Sequence, residues 1–327
     1  MDLSEAIFWM GGRLATNCVE ISDDPSSLDK PGFWAVVKSF EGKFIAARFA
    51  KVEQAKLPIA NWLPLNGEWS SSQTQLGYEQ NVRKIQELIA QGYIYQVNLC
   101  RVLTNTSENS LLGLANKLAI DNPAPYASYL KLPGLEIASA SPELFLSRSG
   151  DFIKSSPIKG TAKDENFGDK DESENIMIVD LMRNDFSRIT TAGSVDVPRL
   201  LGIEKHPGLF HLVSDITGKL KANTEWPEIL NALTPAGSVS GAPKSSALKT
   251  ISDLEQKERG PYCGVIGWSE GEQAIMSVGI RIFWSHQDGQ IHFGTGAGIT
   301  WKSDAQSEWQ ETQLKSEKLI SIAGGKR

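Results

Sequence analysis

The sequence predicts an α+β fold built mainly from antiparallel sheets. Stretches of strand-like composition come in consecutive blocks and do not alternate strictly with helices, which disfavours a doubly wound parallel sheet. Compact turn signals, such as Ser-Gly-Asp at 149–151, join neighbouring strand-like stretches. No linker rich in Pro, Ser or Gly divides the 327 residues, so we expect one domain over residues 1–327, with an N-terminal portion at 1–75 and a core at 76–327.

The first elements are a hairpin and a helix that leads into a strand. Residues 33–52 are rich in aromatic and β-branched side chains on both sides of a Phe-Glu-Gly-Lys turn, which predicts two paired strands. Residues 78–99 begin with apolar side chains spaced near 3.6 residues, and Gly92 ends this pattern before a strand-like run.

The middle of the chain predicts a second hairpin and a long helix. Residues 135–148 and 151–160 read as strands on either side of the Ser-Gly-Asp turn. Residues 171–189 have helical periodicity. The apolar stripe expected to face the core consists of Ile176, Val179, Leu181 and Met182.

The last third predicts further strands and three helices. Strand-like runs occupy residues 208–220, 262–270, 273–286 and 290–300. A short helix over 224–233 has Thr224 as its expected N-cap, a second helix follows Ala242-Pro243, and an amphipathic helix covers 304–323.

Composition excludes several classes of function. The 33 Lys and Arg residues are outnumbered by 39 Asp and Glu, and no basic run follows a phosphate backbone, so nucleic acid is not an expected partner. Three widely spaced cysteines predict neither a disulfide framework nor a zinc site, which fits the cytoplasm. No stretch resembles a signal peptide or a bilayer-spanning helix, so no membrane partner is expected.

Two pairs of carboxylates stand out. Asp171 and Glu174 are three residues apart on one predicted helix, and Glu308 and Glu311 repeat this spacing on another, so each pair shares a helix face. Either pair alone is more typical of a solvated helix face than of a set of metal ligands. Brought together without histidine or cysteine, the four oxygen donors would suit Mg²⁺.

An acid and an amine face each other across the second hairpin. Reflection of this hairpin about residue 151 places Glu143 opposite Lys159. This pair is either an ordinary cross-strand ion pair or a general acid beside a nucleophilic amine. The second interpretation requires burial or nearby cations to lower the pKa of Lys159 from about 10.4.

Other candidate residues are less specific. Gly-rich stretches at 236–244 and 293–300 could offer backbone N–H groups to a carboxylate, although neither is a Walker or dinucleotide motif. Tyr262 and Arg281 lie in predicted strands as possible anion ligands, and His211 is either a satisfied buried histidine or a catalytic one.

The chain resembles the chorismate-utilising enzymes over most of its length. The motifs that carry the resemblance, in order, are YIYQVNL, NPAPYASYL, SASPELF, PIKGT, ENIMIVDLMRND, HLVSDITGKL, GSVSGAPK, RGPYCGVIGW, GIRIF, GTGAGIT and SEWQET. The resemblance implies two large antiparallel sheets packed face to face with helices around them, and a chorismate site in the cleft between the sheets. The portion before residue 76 is short for this family, which puts a tryptophan-type effector pocket in doubt.

The resemblance also implies roles for individual residues. Glu174 and Glu311 look like direct ligands of Mg²⁺, with Asp171 and Glu308 acting through water. The residues that look like substrate contacts are Ser238, Gly241, Tyr262, Arg281, Gly298 and Lys315, and His211 matches the family's active-site histidine.

Two positions distinguish branches of this family. Enzymes that add water carry a lysine at the position of Gln96, whereas anthranilate synthases have alanine at the position of Lys159. Lys159 therefore implies the aminodeoxychorismate branch, which leads to 4-aminobenzoate and folate. There the lysine attacks ring carbon 2 with Glu143 as general acid, and ammonia from a glutamine amidotransferase partner displaces it. An anthranilate synthase component and a non-catalytic chorismate-binding paralogue remain the alternatives.

Overall fold

The computed structural model describes residues 2–162, 165–206 and 209–326. The strands are β1 Ile7–Met10, β2 Arg13–Ser22, β3 Phe33–Lys38, β4 Phe44–Gln54, β5 Leu65–Glu68, β6 Ser70–Ser71, β7 Gln96–Thr106, β8 Tyr126–Leu132, β9 Leu135–Ser141, β10 Leu144–Ser149, β11 Phe152–Ser156, β12 Ile158–Ala162, β13 Asp196–His206, β14 Leu209–Lys219, β15 Gly241–Ala242, β16 Val265–Glu270, β17 Gln273–Val278, β18 Ile282–Ser285, β19 Gln290–Ile299 and β20 Gly324–Lys326. The α-helices are α1 Gln75–Ala90, α2 Leu111–Asp121, α3 Asp169–Ile189, α4 Trp226–Leu233, α5 Lys244–Leu254 and α6 Ala305–Ala323.

A curled antiparallel sheet forms the frame of the molecule. Its neighbouring strands, in spatial order, are β6, β7, β19, β18, β9, β8, β1, β2, β4, β3, β16, β17, β10, β11, β14 and β13. The short strand β15 also pairs with β7, and β12 pairs with β14. The α+β, antiparallel prediction is therefore confirmed. The two expected sheets are halves of one hydrogen-bonded sheet, because β1 and β2 join them.

Both halves of the sheet contribute to one hydrophobic core. Leu130 from β8 and Ile266 from β16 belong to the same buried cluster as Phe8 of the joining strand β1. A second cluster lies where α2 and α6 cover strands β18 and β19, and it includes Leu114 and Phe283. The larger cluster fixes the positions of the two halves relative to each other, and this places the candidate residues described below.

Most predicted helices and strands are confirmed, with local corrections. The stripe on α3 is wrong at Ile176, which is 48% exposed, because the buried face instead passes through Ile178, Val179 and Met182 at helical spacing. Thr224 does not cap α4: its hydroxyl donates to the carbonyl of Lys221, and Glu225 occupies the N-cap position. The strand predicted at 208–220 begins at Gly208, outside the described residues, and is otherwise confirmed by β14.

The strand predicted over 273–286 is split into β17 and β18. The break covers residues 279–281, where Arg281 has a backbone φ of 54°. This left-handed conformation is incompatible with a continuous strand. Of the described helices, none combines the length and the apolar composition required to cross a bilayer.

Candidate functional site

Lys159 lies within a group of charged side chains contributed by four parts of the fold. The electrostatic fields of Glu174 on α3, Lys315 and Glu311 on α6, and Glu143 before β10 all act on its amine. We call these five residues the charged cluster. The Lys159 side chain is partly buried. Burial lowers the pKa of Lys159, the Lys315 charge lowers it further, and the three carboxylates oppose this without reversing it.

Glu143 is the buried acid of the cluster, with only 3% of its surface exposed. Desolvation raises the pKa of the Glu143 carboxyl to about 7, against the opposing effects of the Ser238 hydroxyl, the Lys159 charge and the Ile158 backbone N–H. The Ser238 hydroxyl donates to Glu143 Oε1 over 2.5 Å. A carboxyl with this pKa is a suitable proton donor at neutral pH.

The predicted register of the hairpin is wrong, although the neighbours it proposed are close. Leu144 pairs with Ser156, and the register shifts at a bulge between Leu144 and Ser147. A bulge places an extra residue on one strand, which a simple reflection cannot include. Lys159 belongs to the separate strand β12, and Glu143 interacts with both Lys159 and the preceding Ile158 N–H.

The four candidate metal ligands lie in different local settings. Asp171 Oδ2 accepts from the backbone N–H of Gly168 over 3.4 Å at the start of α3. Glu308 is buried and accepts from the Ser303 hydroxyl over 2.6 Å. Glu311 forms an ion pair with Lys315 over 2.6 Å.

Carboxylate oxygens are the donors that Mg²⁺ prefers, so this set fits the ion in kind. Within the described ranges, no three His, Cys, Asp or Glu side chains already stand close enough together to hold a metal. Glu174 and Glu311 both act on Lys159. A site with two direct carboxylate ligands is compatible with this arrangement, because Mg²⁺ commonly keeps several waters.

Gln96, Glu174 and Gly298 form a close contact between β7, α3 and β19. Gln96 Nε2 donates to Glu174 Oε2 over 3.1 Å, and the Gln96 side chain is fully buried. A Cβ atom at Gly298 would lie 2.6 Å from Gln96 Nε2 and 3.5 Å from Glu174 Oε2. Glycine at this position therefore leaves room for the amide and the carboxylate to meet.

Residues 236–242 carry Ser238 and Gly241, two positions that the family resemblance predicts to contact substrate, and we call this segment the substrate loop for that prediction. The loop is held on β7: Asn98 Nδ2 donates to the Ser238 carbonyl over 3.0 Å, and the Asn98 N–H donates to the Ser240 carbonyl over 2.8 Å. Gly241 has a φ of 150°, and a Cβ there would collide with the Gln96 carbonyl. Only glycine combines this φ with so close an approach.

Tyr262 and Arg281 lie in connecting segments, so the prediction that they lie within strands is wrong. Tyr262 is in the turn before β16, where its ring covers Gly294 and its hydroxyl lies 3.8 Å from Cys100 Sγ. Burial lowers the pKa of the Arg281 guanidinium, and no carboxylate within the described ranges forms an ion pair with it. A partly buried guanidinium of this kind favours an anionic partner.

His211 and Lys315 complete the candidate set. His211 lies on β14 with 1% of its surface exposed, opposite Glu204 of β13 in the strand register. Lys315 Nζ donates to the Gly296 carbonyl over 3.3 Å in addition to its ion pair. Lys315 therefore links α6 to the same strand, β19, that carries Gly298.

The chain matches the family model described as chorismate binding enzyme over residues 41–321. It therefore belongs to the chorismate binding enzyme family. The component 1 subunits of aminodeoxychorismate synthase from Salmonella typhimurium and Escherichia coli are 33% and 35% identical to it, and the matches cover 88% and 84% of this chain. The anthranilate synthase component 1 of Aeropyrum pernix is 36% identical over 76% of the chain. These matches span 68%, 64% and 60% of the three relatives.

Solved structures show the same fold. Anthranilate synthase component I from Streptococcus pneumoniae superposes with a TM-score of 0.83 at 21% identity, covering 98% of this chain and 93% of that one. A putative 2,3-dihydroxybenzoate-specific isochorismate synthase from Bacillus anthracis gives 0.82 at 21% identity, covering 98% and 96%.

Sequence reasoning missed the buried pair Glu255 and Arg259. Arg259 is 1% exposed, and its Nη2 and Nε reach Glu255 Oε1 and Oε2 over 2.6 and 2.8 Å. The spacing of four between an acid and a base was a signal, but such pairs are common on exposed helices. Only the structure shows that this pair is buried beside the substrate loop.

Proposed function

We propose that the protein is the synthase component of an aminodeoxychorismate synthase, a transferase that converts chorismate and ammonia to 4-amino-4-deoxychorismate. The observation that carries the proposal is the Lys159 amine, whose pKa is lowered, next to the Glu143 carboxyl, whose pKa is raised to about 7. A neutral amine is a nucleophile and a protonated carboxyl is an acid, so this pair is suited to substitution with loss of a hydroxyl group. Relatives at 33–35% identity with that name support the same activity.

The proposed chemistry has two balanced steps. Lys159 Nζ bonds to ring carbon 2, both ring double bonds shift, and the hydroxyl on carbon 4 leaves as water with the proton of Glu143. The proton released by the Lys159 amine returns to Glu143. Ammonia then bonds to carbon 4, both double bonds shift back, the carbon–nitrogen bond to Lys159 breaks, and one proton of the ammonia passes to the Lys159 nitrogen. The sum is chorismate plus ammonia giving product plus water.

Mg²⁺ is the proposed cofactor. Glu174 and Glu311 would be its direct ligands, with Asp171 and Glu308 acting through water. When bound, the ion would neutralise a substrate carboxylate and lower the cost of burying a dianion. Arg281, with Tyr262, would take the second carboxylate, because its guanidinium has the required charge and fork of donors.

Ammonia is proposed to come from a glutamine amidotransferase subunit. The name component 1 in the relatives supports a second component. Gln96 is suited to an enzyme that must use ammonia and not water, because an amide cannot act as the base that water requires.

The product of the reaction tests the proposal. Purified protein, chorismate, Mg²⁺ and ammonium should give aminodeoxychorismate, detected as 4-aminobenzoate after addition of a separate lyase. The alternative is an anthranilate synthase component, which the 36% identity to the Aeropyrum pernix protein favours. Fluorescent anthranilate and pyruvate would establish that alternative, and binding of chorismate without any turnover would identify a non-catalytic paralogue.

Replacement of the amine tests its role directly. Lys159→Ala should lower ammonia-dependent kcat by at least about 10³-fold, because the nucleophile is gone. Chorismate affinity, measured by calorimetry, should change less than about fivefold since other residues bind the carboxylates. Intact mass spectrometry should show a chorismate-derived adduct on the wild-type chain only.

Lys154→Ala is the matched control. Lys154 lies on the adjacent strand β11 and pairs with Asp215 over 3.1 Å, outside the charged cluster. We expect its activity to stay within about twofold of wild type, because partly exposed ion pairs contribute little. Full activity of Lys159→Ala would refute the nucleophilic role.

A further inference from the structure

Arg259 is a buried hub between the substrate loop and β7. Its Nη1 donates to the Val239 carbonyl over 2.9 Å, and its Nη2 donates to the Asn98 carbonyl over 2.7 Å. The remaining bonds of the guanidinium go to Glu255, and the Phe40 ring lies 4.1 Å from Arg259 Cζ. Glu255 Oε1 in turn accepts from the Cys100 N–H over 2.8 Å.

This geometry connects Arg259 to the general acid of the proposed function. Val239 directly follows Ser238, whose hydroxyl donates to Glu143 Oε1 over 2.5 Å. The hydrogen bond from Arg259 to the Val239 carbonyl therefore restrains the backbone one residue after Ser238, and the Ser238 hydroxyl orients Glu143. Asn98, which Arg259 also contacts, holds the Ser238 carbonyl.

Resting on the proposed function, we propose that Arg259 is a positioning residue of the reaction. Its guanidinium holds the substrate loop against β7, so that Ser238 stays hydrogen-bonded to Glu143 and the carboxyl points at the leaving hydroxyl. A lysine cannot replace it, since one ammonium cannot reach two divergent carbonyls and both carboxylate oxygens of Glu255 at once.

The charged groups near Glu143 and near Arg259 determine what a pH measurement reports. Lys159 is the charged group whose field acts on Glu143, and its other partners, the Ser238 hydroxyl and the Ile158 N–H, are neutral. Arg259 faces Glu255, Cys100 and Cys263, and its backbone N–H donates to Glu41. The Ser238 hydrogen bond lowers the pKa of Glu143, so its loss should raise this pKa.

The first test is the pH dependence of Arg259→Lys. We expect kcat to fall about 10²-fold while KM changes less than about threefold, because a misplaced acid affects chemistry more than binding. The basic limb of the kcat profile should move up by about half to one pH unit, the range set by one lost hydrogen bond. General destabilisation would lower the amplitude and leave the limb in place.

The second test does not depend on activity. Hydrogen exchange of the Val239 and Ser240 amides, which donate to the Ala236 and Gly237 carbonyls, should become about tenfold faster in Arg259→Lys, with amides of β16 unchanged.

A double-mutant cycle with Ser238→Ala, read from the kcat profile, tests whether Arg259 acts through Ser238. Arg259→Lys should produce no further shift of the basic limb once the Ser238 hydroxyl has been removed.

Controls and contrary outcomes separate the two proposals. Arg83→Lys makes the same replacement in an ion pair on α1 whose arginine side chain is 60% exposed, and it should leave the profile unchanged. If Arg259→Lys does not fold, Glu255→Asp takes its place. This replacement keeps the negative charge but shortens the side chain that accepts hydrogen bonds from Arg259. A folded variant with the wild-type limb and wild-type loop exchange would overturn the role of Arg259. A wild-type protein that makes no aminodeoxychorismate would overturn the proposed function, and the exchange test would still decide the restraint of the loop.

Discussion

The Glu143 carboxyl is held in a place that disfavours its charge. Its pKa of about 7 lies well above the ordinary value of 4.5, chiefly because burial removes water from the carboxylate. Between these two pH values the folded protein holds a proton that the unfolded chain has released. Folding stability therefore falls as pH rises through this window, and the change is complete above pH 7.

This linkage gives a prediction for Glu143→Gln. The wild-type free energy of unfolding should contain a loss of up to about 3 kcal/mol between pH 5 and pH 8 that the variant lacks, because an amide does not titrate. Urea unfolding at both pH values measures the difference. Glu87→Gln, an exposed replacement on α1, should retain the wild-type dependence. Parallel pH profiles for wild type and Glu143→Gln would contradict the buried, protonated carboxyl.

Single residues were predicted from sequence to different degrees. The identities of Glu143 and Lys159 came from the turn between them, whereas their geometry depends on a bulge that has no clear residue signature. Arg281 was expected in a strand, but it lies in the β17–β18 connection with a positive φ. The role proposed for Arg259 depends on its burial, and this burial results from contacts with residues distant in sequence.

At the scale of elements, the substrate loop depends on how closely it approaches β7. Gly241 pairs with Val97, and its backbone lies against the Gln96 carbonyl. A side chain at this position has no space, and the backbone conformation is one that L residues rarely adopt. The loop and strand therefore act as one unit.

Gly241→Ala should destabilise the protein by about 2–5 kcal/mol, the sum of backbone strain and collision with Gln96. Gly271→Ala is the matched control, because Gly271 also has a positive φ, in the exposed β16–β17 turn, and a Cβ added there would meet no atom within 4 Å. It should cost only about 1 kcal/mol. Thermal unfolding followed by circular dichroism compares them, and equal losses would show that the close approach contributes nothing.

Elements with a strong periodic pattern were predicted well, and short or irregular ones were not. Helices α1, α3 and α6 follow from apolar spacing. Strands β1, β2 and β13 were missed for different reasons: β1 has only four residues, half of the ten residues of β2 are polar, and β13 carries charged residues on a partly exposed edge. Their place in the sheet is decided by partners far away along the chain.

At the scale of the whole molecule, the two halves of the sheet are joined by β1 and β2 and share a core. Such an arrangement leaves little of either half able to fold without the other. The shared core leads to a prediction about cooperativity.

Leu130→Ala, on β8 in one half, should reduce stability by about 2–5 kcal/mol. Native-state hydrogen exchange of the slowest amides in β14, in the other half, should report the same loss, because both halves unfold together. Leu63→Ala, at a position 67% exposed, should change neither value by more than about 0.5 kcal/mol. An unchanged β14 in Leu130→Ala would mean that the halves unfold independently.

Strand β19 carries glycine at every second position from 294 to 298, and each of these glycines faces a side chain that crosses the strand: Tyr262, Cys100 and Gln96 in turn. Alternate residues of a strand share a face, so β19 itself contributes no side chain to this face between residues 294 and 298. Redesign of the enzyme for altered substrates should therefore keep glycine at these three positions and vary the side chains that rest on them. A single methyl group added at one of these glycines would displace the side chain packed against it.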